Sequence, residues 1–221
     1  MNRRSFLIAT AAVVPALGQH HEETPQPSAS EVLRDLTEGN ARFAGGAPKR
    51  PHTSLDRVHE VAGAQRPRAV VLTCSDSRVP PEVLFDQGIG DLFVVRVAGN
   101  VANNDQIASS EYALEHFNSP LLVVLGHSQC GAVSAVVNGD AVPKDIGRMV
   151  VHIGEAVTRV RKDRPMLKGT DLVAASVQAN VQETMKDLRG NSDIIAARAR
   201  DNRVKIVGGV YNLADGKVTW V

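Results

Sequence analysis

The chain has 221 residues, which is enough for one domain with a sizeable hydrophobic core. Its 25 basic and 24 acidic side chains leave a formal net charge of +1, so no strong electric field is present to attract nucleic acid or an anionic membrane. We therefore expect a small-molecule substrate and no nucleic-acid partner.

The first residues of the chain resemble an export signal. Arg3 and Arg4 precede an apolar run over residues 6–17, which is shorter than the roughly 20 residues that a membrane-spanning helix needs. Paired arginines before such a run are typical of twin-arginine export. We predict an export signal over residues 1–18, a flexible tether over 19–30 and no stable membrane insertion after cleavage. The alternatives are an uncleaved anchor or a misassigned start. With export, the protein would be periplasmic or extracellular in a bacterium.

From residue 31 onwards, short apolar runs alternate with longer amphipathic segments. The runs are typical of strands buried on both faces, and the segments are typical of helices. In chain order we predict a helix over 31–43 capped by Ser30, strands over 68–73 and 92–97, a helix over 105–117, a strand over 121–125, helices over 130–137, 146–160, 172–188 and 192–200, a strand over 204–210 and an edge strand over 217–221.

This alternation indicates βαβ units. We predict an α/β fold with a mainly parallel central β-sheet of four strands plus an edge strand, flanked by helices, in a single domain over residues 31–221. Ligands of such sheets bind beyond the carboxyl ends of the strands. Chemically active side chains at those ends are therefore the first candidates for a site.

Two such segments follow the first and third predicted strands. Cys74 follows the first strand, and His127 and Cys130 follow the third. Thiolate and imidazole are the ligands that zinc prefers, and three protein ligands leave a fourth position for water, as in catalytic zinc sites. We predict one Zn²⁺ ion per chain, held by these three residues.

Asp76 and Arg78 lie next to Cys74 in the sequence. Asp76 could be a fourth metal ligand, or it could pair with Arg78 and leave that position to water. A carboxylate held by a bidentate arginine keeps its charge and orientation, and it could then align the water. The other interpretation of the two cysteines is a disulfide, which export would permit. A disulfide would leave Asp76, Arg78 and His127 without a shared role, so we favour the metal site.

The two segments, Cys-Ser-Asp-Ser-Arg and His-Ser-Gln-Cys-Gly, resemble the signature of the β-class carbonic anhydrases. The resemblance covers about residues 31–221 and includes segments at 79–82, 85–87, 92–100 and 211–213. It implies a carbonate dehydratase that converts CO2 reversibly to bicarbonate and a proton through a zinc-bound hydroxide. It also implies the zinc ligands Cys74, His127 and Cys130 and the catalytic pair Asp76 and Arg78.

The resemblance implies further roles. Gln87 matches a glutamine that binds substrate across a dimer interface, which implies a homodimer or a dimer of dimers. Gly131 could bring its backbone close to the substrate. Some members of the family have a regulatory bicarbonate site made of tryptophan, arginine and tyrosine. Arg96 and Tyr211 stand at plausible positions, but Val71 occupies the approximate tryptophan position. This argues against such regulation and favours the open, water-bound form near neutral pH.

Several alternatives stay open from the sequence alone. The same scaffold could hydrolyse carbonyl sulfide or carbon disulfide, or it could be a non-catalytic zinc-binding module. The first predicted helix could pack on its own domain or wrap a partner subunit through an apolar face made of Val32, Leu33, Leu36 and Phe43. Candidate proton-shuttle residues are His52, His59, His116 and His152.

Overall fold

The computed structural model describes residues 26–221, so the predicted export signal and most of the predicted tether lie outside the described residues. The elements in chain order are α1 (Ala29–Ala44), α2 (Leu55–Val61), β1 (Ala69–Thr73), α3 (Pro81–Leu84), β2 (Leu92–Arg96), a short 3-10 turn (Ala98–Asn100), α4 (Asn104–Phe117), β3 (Leu121–His127), α5 (Gly131–Asn138), α6 (Lys144–Asp163), α7 (Gly169–Gly190), α8 (Asp193–Arg200), β4 (Lys205–Tyr211) and β5 (Val218–Trp220). Among these helices, none combines the length and the apolar character that crossing a bilayer requires.

The strands form one five-stranded sheet in the order β2-β1-β3-β4-β5. The first four strands are parallel and β5 is antiparallel to β4, which confirms the predicted α/β fold with its edge strand. Every residue of β1 and β3 is buried, as their uninterrupted apolar runs predict. Because β1 and β3 are neighbours, the segments that follow them meet at the same edge of the sheet.

The two faces of the sheet are covered by different helices. Val70 and Leu72 of β1 pack in a cluster with residues of α4, α7 and α8, whereas Ala69 and Val71 pack against α1 and α3 on the opposite face. A third apolar cluster contains Cys74 and is built mainly from α5, α6 and α7. Cys74 and Cys130 are therefore buried beside these three helices.

Helix α1 begins earlier than the sequence prediction. Its N-cap is Ser28, not Ser30, because Glu31 at the third helical position completes a capping box with Ser28. Ala29 and Ser30, which we placed in the tether, therefore belong to the helix. The apolar face of α1 packs on its own domain, since Val32 and Leu36 are buried in the core.

Sequence analysis missed α2, α3 and the 3-10 turn. Helix α2 has only seven residues and none of them is buried, so it is shorter than the roughly 11–18 residues over which helical periodicity is judged. Helix α3 is a single turn of four residues beginning at Pro81. Strand β3 extends two residues beyond the predicted end, to His127, because Gly126 and His127 continue the pairing with β4.

Candidate active site

Cys74, His127 and Cys130 come together at the carboxyl ends of β1 and β3. Thr73 at the end of β1 pairs with Leu125, and Cys74 follows immediately, beside the end of β3. The Sγ atoms of both cysteines and a ring nitrogen of His127 all lie within 4.8 Å of one another. All three side chains are buried, and the two cysteines are free thiols, not partners in a disulfide.

The imidazole of His127 is oriented as a metal ligand. Its Nδ1–H donates to the carbonyl oxygen of Ser128 at 2.9 Å, which leaves the lone pair of Nε2 directed into the cluster. Nε2 is buried and has no hydrogen-bond partner among the described residues. Burial of the ring opposes protonation, but the neighbouring Cys74 sulfur and the Ser128 carbonyl outweigh burial and raise the pKa of His127. An unsatisfied buried nitrogen in this setting suits a cation.

The two thiols behave as one pair that shares a proton. The hydrogen bond from the Cys130 thiol and that from the Gly99 amide lower the pKa of Cys74 to about 4 against the opposing effect of burial, and the neighbouring His127 ring acts in the same direction. The same contact with Cys74, and burial, raise the pKa of Cys130 well above its ordinary value. The cluster therefore stabilises a thiolate at Cys74, and a metal ion can take the place of the proton on Cys130.

Asp76 and Arg78 form a bidentate pair next to the cluster. The Arg78 backbone amide and Nε each donate to Asp76 Oδ1 at 2.9 Å, and Nη2 donates to Oδ2 at 2.7 Å. These bonds hold the pKa of Asp76 well below its ordinary value and raise that of Arg78. Asp76 Oδ2 also lies 3.8 Å from His127 Nε2. An ionised carboxylate thus stands beside the cluster while it is engaged by arginine.

The backbone of Gly99, whose role sequence analysis missed, completes the surroundings of Cys74. The amide of Gly99 donates to Cys74 Sγ at 3.3 Å, and its carbonyl accepts from the side chain of Asn180 in α7 at 2.8 Å. Asn180 is buried and 81 residues distant in the chain, so no local pattern predicted this contact. A backbone amide directed at sulfur stabilises the thiolate form.

Gly131 and Gln87, the two other predicted site residues, have different settings. Gly131 is the exposed first residue of α5, and a Cβ built on it would meet no heavy atom within 4 Å, so the space before it is open. The side-chain amide of Gln87 donates to the carbonyl oxygens of Phe85 and Asp86 in its own loop. Within one chain, Gln87 therefore stabilises the loop that follows α3. Its contact with substrate across a dimer interface stays a prediction.

The residues considered for regulation lie on three strands of the sheet, β1, β2 and β4. Val71 is fully buried inside β1, and Tyr211 pairs with His127 at the ends of β4 and β3. Arg96 binds backbone oxygens of the loop that carries Cys74 and Asp76.

Three of the four candidate shuttle histidines have contacts elsewhere in the fold. His52 bonds to Asp91 at 2.8 Å, the ring of His116 packs on Tyr112 at 4.3 Å, and His152 lies 3.9 Å from Asp187. The fourth, His59, lies exposed in α2. A shuttle role for any of them stays a prediction.

Comparison with known proteins agrees with this geometry. The sequence model of the family described as carbonic anhydrase matches residues 69–218. Carbonic anhydrase 2 of Mycobacterium tuberculosis is 40% identical over 197 residues, which cover 87% of this chain and 93% of that protein. A carbonic anhydrase of Mycolicibacterium smegmatis is 40% identical over 198 residues, covering 88% of this chain and 94% of the relative.

Solved structures add the class. The β-carbonic anhydrase CcaA is 27% identical and superposes with a TM-score of 0.69, covering 86% of this chain and 92% of that one. The β-carbonic anhydrase of Coccomyxa, at 24% identity and a TM-score of 0.68, covers 88% and 86% and shows the same fold. The chain belongs to the carbonic anhydrase family, within its β class, and its enzyme class is carbonate dehydratase.

Proposed function

We propose that the protein is a zinc enzyme that converts CO2 and water reversibly into bicarbonate and a proton. One observation carries the proposal. The buried Cys74–His127–Cys130 cluster directs an unpartnered imidazole nitrogen toward a carboxylate that an arginine holds in its ionised form. The names of the relatives that are 40% identical over most of the chain support the same reaction.

The three side chains fit a zinc ion. Two sulfurs and one imidazole nitrogen form a donor set that zinc prefers, and all three are withdrawn from solvent. When bound, zinc would supply the Lewis acidity that lowers the pKa of a water in the open position to about 7. Cys74, His127 and Cys130 would hold the ion, and the Gly99 amide would retain its hydrogen bond to Cys74.

The pair of Asp76 and Arg78 orients the attacking water in this proposal. Because the pKa of Asp76 is depressed, its carboxylate only accepts hydrogen bonds at neutral pH. Oδ2 accepts a hydrogen bond from a water beside the cluster, which turns a free lone pair of the water oxygen toward the carbon of CO2. Arg78 keeps the carboxylate in place while the water reacts. The open space before Gly131 leaves room for a small substrate.

Stopped-flow CO2 hydration on the zinc-loaded full chain tests the proposal. We expect Cys74→Ser to lose zinc, and Asp76→Asn to keep zinc but lose about 100-fold or more in kcat. Asp145→Asn is the matched control, since the side chain of Asp145 is 91% exposed on α6. Full activity of Asp76→Asn would contradict the assigned role. Turnover of carbonyl sulfide or carbon disulfide without CO2 hydration would favour the alternative substrate class.

We also propose that the enzyme assembles as a homodimer or a dimer of dimers, with Gln87 contributing to the partner's site. Analytical ultracentrifugation of the full chain tests the assembly. A monomer with full CO2 hydration would contradict it. Gln87→Ala is expected to raise KM more than it lowers kcat, because the proposed role of Gln87 is in substrate binding.

Export is a separate proposal, supported by Arg3 and Arg4 before the apolar run of residues 6–17. Cell fractionation should place the processed protein outside the cytoplasm, and replacing both arginines by lysine should retain it inside. If the wild type and the lysine variant were found in the same cell fractions, twin-arginine export would be contradicted.

A further inference from the structure

Arg96, the last residue of β2, binds two backbone oxygens of the loop that follows β1. Its Nε donates to the carbonyl oxygen of Cys74 at 3.1 Å, and its Nη2 donates to the carbonyl oxygen of Asp76 at 2.6 Å. These carbonyls lie on either side of Ser75. One guanidinium therefore joins the backbone of a candidate metal ligand to the backbone of the neighbouring carboxylate residue.

The sheet places the guanidinium at this position. Arg96 pairs in register with Thr73, the last residue of β1, and the amide of Val97 donates to the Thr73 carbonyl at 3.1 Å. Strand β2 flanks β1 on the side opposite β3. Arg96 and His127 thus lie at the ends of the two strands that flank β1, and the loop that follows β1 begins between them.

The conformation of this loop decides where the Asp76 carboxylate points. Oδ2 lies 3.8 Å from His127 Nε2, so a modest displacement would bring it into the cluster as a ligand. Such a displacement needs the loss of the Arg78 bonds or a shift of the loop backbone. The Asp76 carbonyl accepts bonds from Arg96 and from the Val79 amide, which oppose a backbone shift.

We infer that Arg96 is a positioning residue that keeps the Asp76 carboxylate against Arg78 and out of the fourth metal position. This role rests on the proposed zinc function. Arg96 would act on the Asp76 carboxylate indirectly, by holding the backbone of the loop that carries it. Without Arg96, the Cys74–Asp76 segment gains freedom, and the carboxylate competes with water for the open position. The enzyme would then divide between an open form and a form closed by Asp76.

The test uses the cobalt-substituted full chain, because the visible absorption of cobalt reports its fourth ligand. Azide is the probe, since it enters an open position and must displace a bound carboxylate. The variants are Arg96→Gln, Arg96→Lys and the control Arg148→Gln, whose arginine pairs with Asp145 at exposed positions of α6. If the fraction of enzyme molecules with an open fourth metal position falls to about a tenth, the apparent Kd for azide rises about tenfold.

We expect that rise for Arg96→Gln, with a similar fall in kcat for CO2 in the zinc form, little change in KM and undiminished metal content. Arg96→Lys should recover part of the effect, because an ammonium can reach a carbonyl but is not bidentate. In an Asp76→Ala background, Arg96→Gln should no longer alter azide binding, since the competing carboxylate is gone.

Unchanged azide binding and an unchanged cobalt spectrum in both Arg96 variants would overturn the inference. So would an Arg96→Gln effect that persists in the Asp76→Ala background. If the wild-type enzyme failed to hydrate CO2 while these spectral shifts appeared, the proposed function would fail and the positioning role of Arg96 would stand.

Discussion

Replacing Gly99 by alanine should damage both the fold and the metal site. Gly99 has φ +76°, in the left-handed region. A residue with a Cβ costs roughly 1–2 kcal/mol more than glycine there. The added Cβ would also lie 2.7 Å from Ile153 Cδ1 and 3.2 Å from Ala132 Cβ. Overpacking of a close-packed site costs about 1–3 kcal/mol, so the two effects together predict a loss of about 2–5 kcal/mol.

Urea unfolding of the metal-free full chain measures this loss directly. Working without metal separates the fold from binding, since a bound ion adds its own stabilisation. The matched control is Gly154→Ala in α6, where a Cβ meets no heavy atom within 4 Å. That change should stabilise by about 0.5–1 kcal/mol, because alanine is the better helix former.

Gly99→Ala should also weaken metal binding. The amide of Gly99 bonds to Cys74 Sγ, and a displaced peptide would withdraw that donor from the thiolate. Zinc affinity, measured by competition with a chromogenic chelator, should fall about 10-fold or more, which is typical when a partner of a metal ligand is lost. The reasoning is refuted if Gly99→Ala unfolds within about 0.5 kcal/mol of the wild type and binds zinc equally well.

Two further predictions concern the same surroundings. Asn180→Ala should destabilise the protein by about 1–3 kcal/mol in urea unfolding, because the buried Gly99 carbonyl loses its donor; a neutral result would show that another group satisfies this oxygen. At alkaline pH, zinc binding should release one proton, which comes from Cys130. Below the pKa of His127, which is raised above 6.5, zinc binding should release a second proton, which comes from the imidazole. Zinc affinity must therefore fall with acid, more steeply below that pKa. Calorimetry in buffers of different ionisation enthalpy counts the protons, and an absence of proton release would contradict the shared-proton arrangement.

The sequence was sufficient for the parts of the fold that local patterns control. The apolar runs of β1 and β3 are buried at every position because their neighbours cover both faces. Polar segments after such strands must meet at one sheet edge, and Cys74, His127 and Cys130 do come within 4.8 Å. The start of α1 is also readable in the sequence, since Ser28 and Glu31 have the spacing of a capping box, whereas the predicted cap is Ser30.

Contacts that depend on how distant elements pack together could not be predicted from the sequence. Asn180 reaches Gly99 only because α7 packs over the end of the sheet, and nothing in the surrounding residues signals it. The position of Arg96 suggested a regulatory site by resemblance, yet its bonds to loop carbonyls follow from the pairing of β1 with β2. Backbone oxygens carry no sequence signature, so side chains that bind them are the hardest to assign.

The arrangement of the two sulfurs also predicts that zinc must bind before the protein meets oxidising conditions. Cys74 has a lowered pKa of about 4, so it is a thiolate at neutral pH, and the Sγ of Cys130 lies within 4.8 Å of it. Thiolates are the reactive form in disulfide exchange, and sulfurs bonded to each other are about 2.05 Å apart. A small movement in the metal-free protein would therefore permit a disulfide that removes two of the three ligands.

Thiol counting under oxidised glutathione tests this limit. The metal-free chain should lose both thiols and then fail to take up zinc until it is reduced, whereas the zinc-loaded chain should keep both thiols because the ion holds both sulfurs. A Cys130→Ser variant provides the control, since it has no second cysteine with which to close the bond. If the metal-free wild type retained both thiols, the fold would hold the sulfurs apart on its own. Zinc loading before export would then be unnecessary for protecting the site.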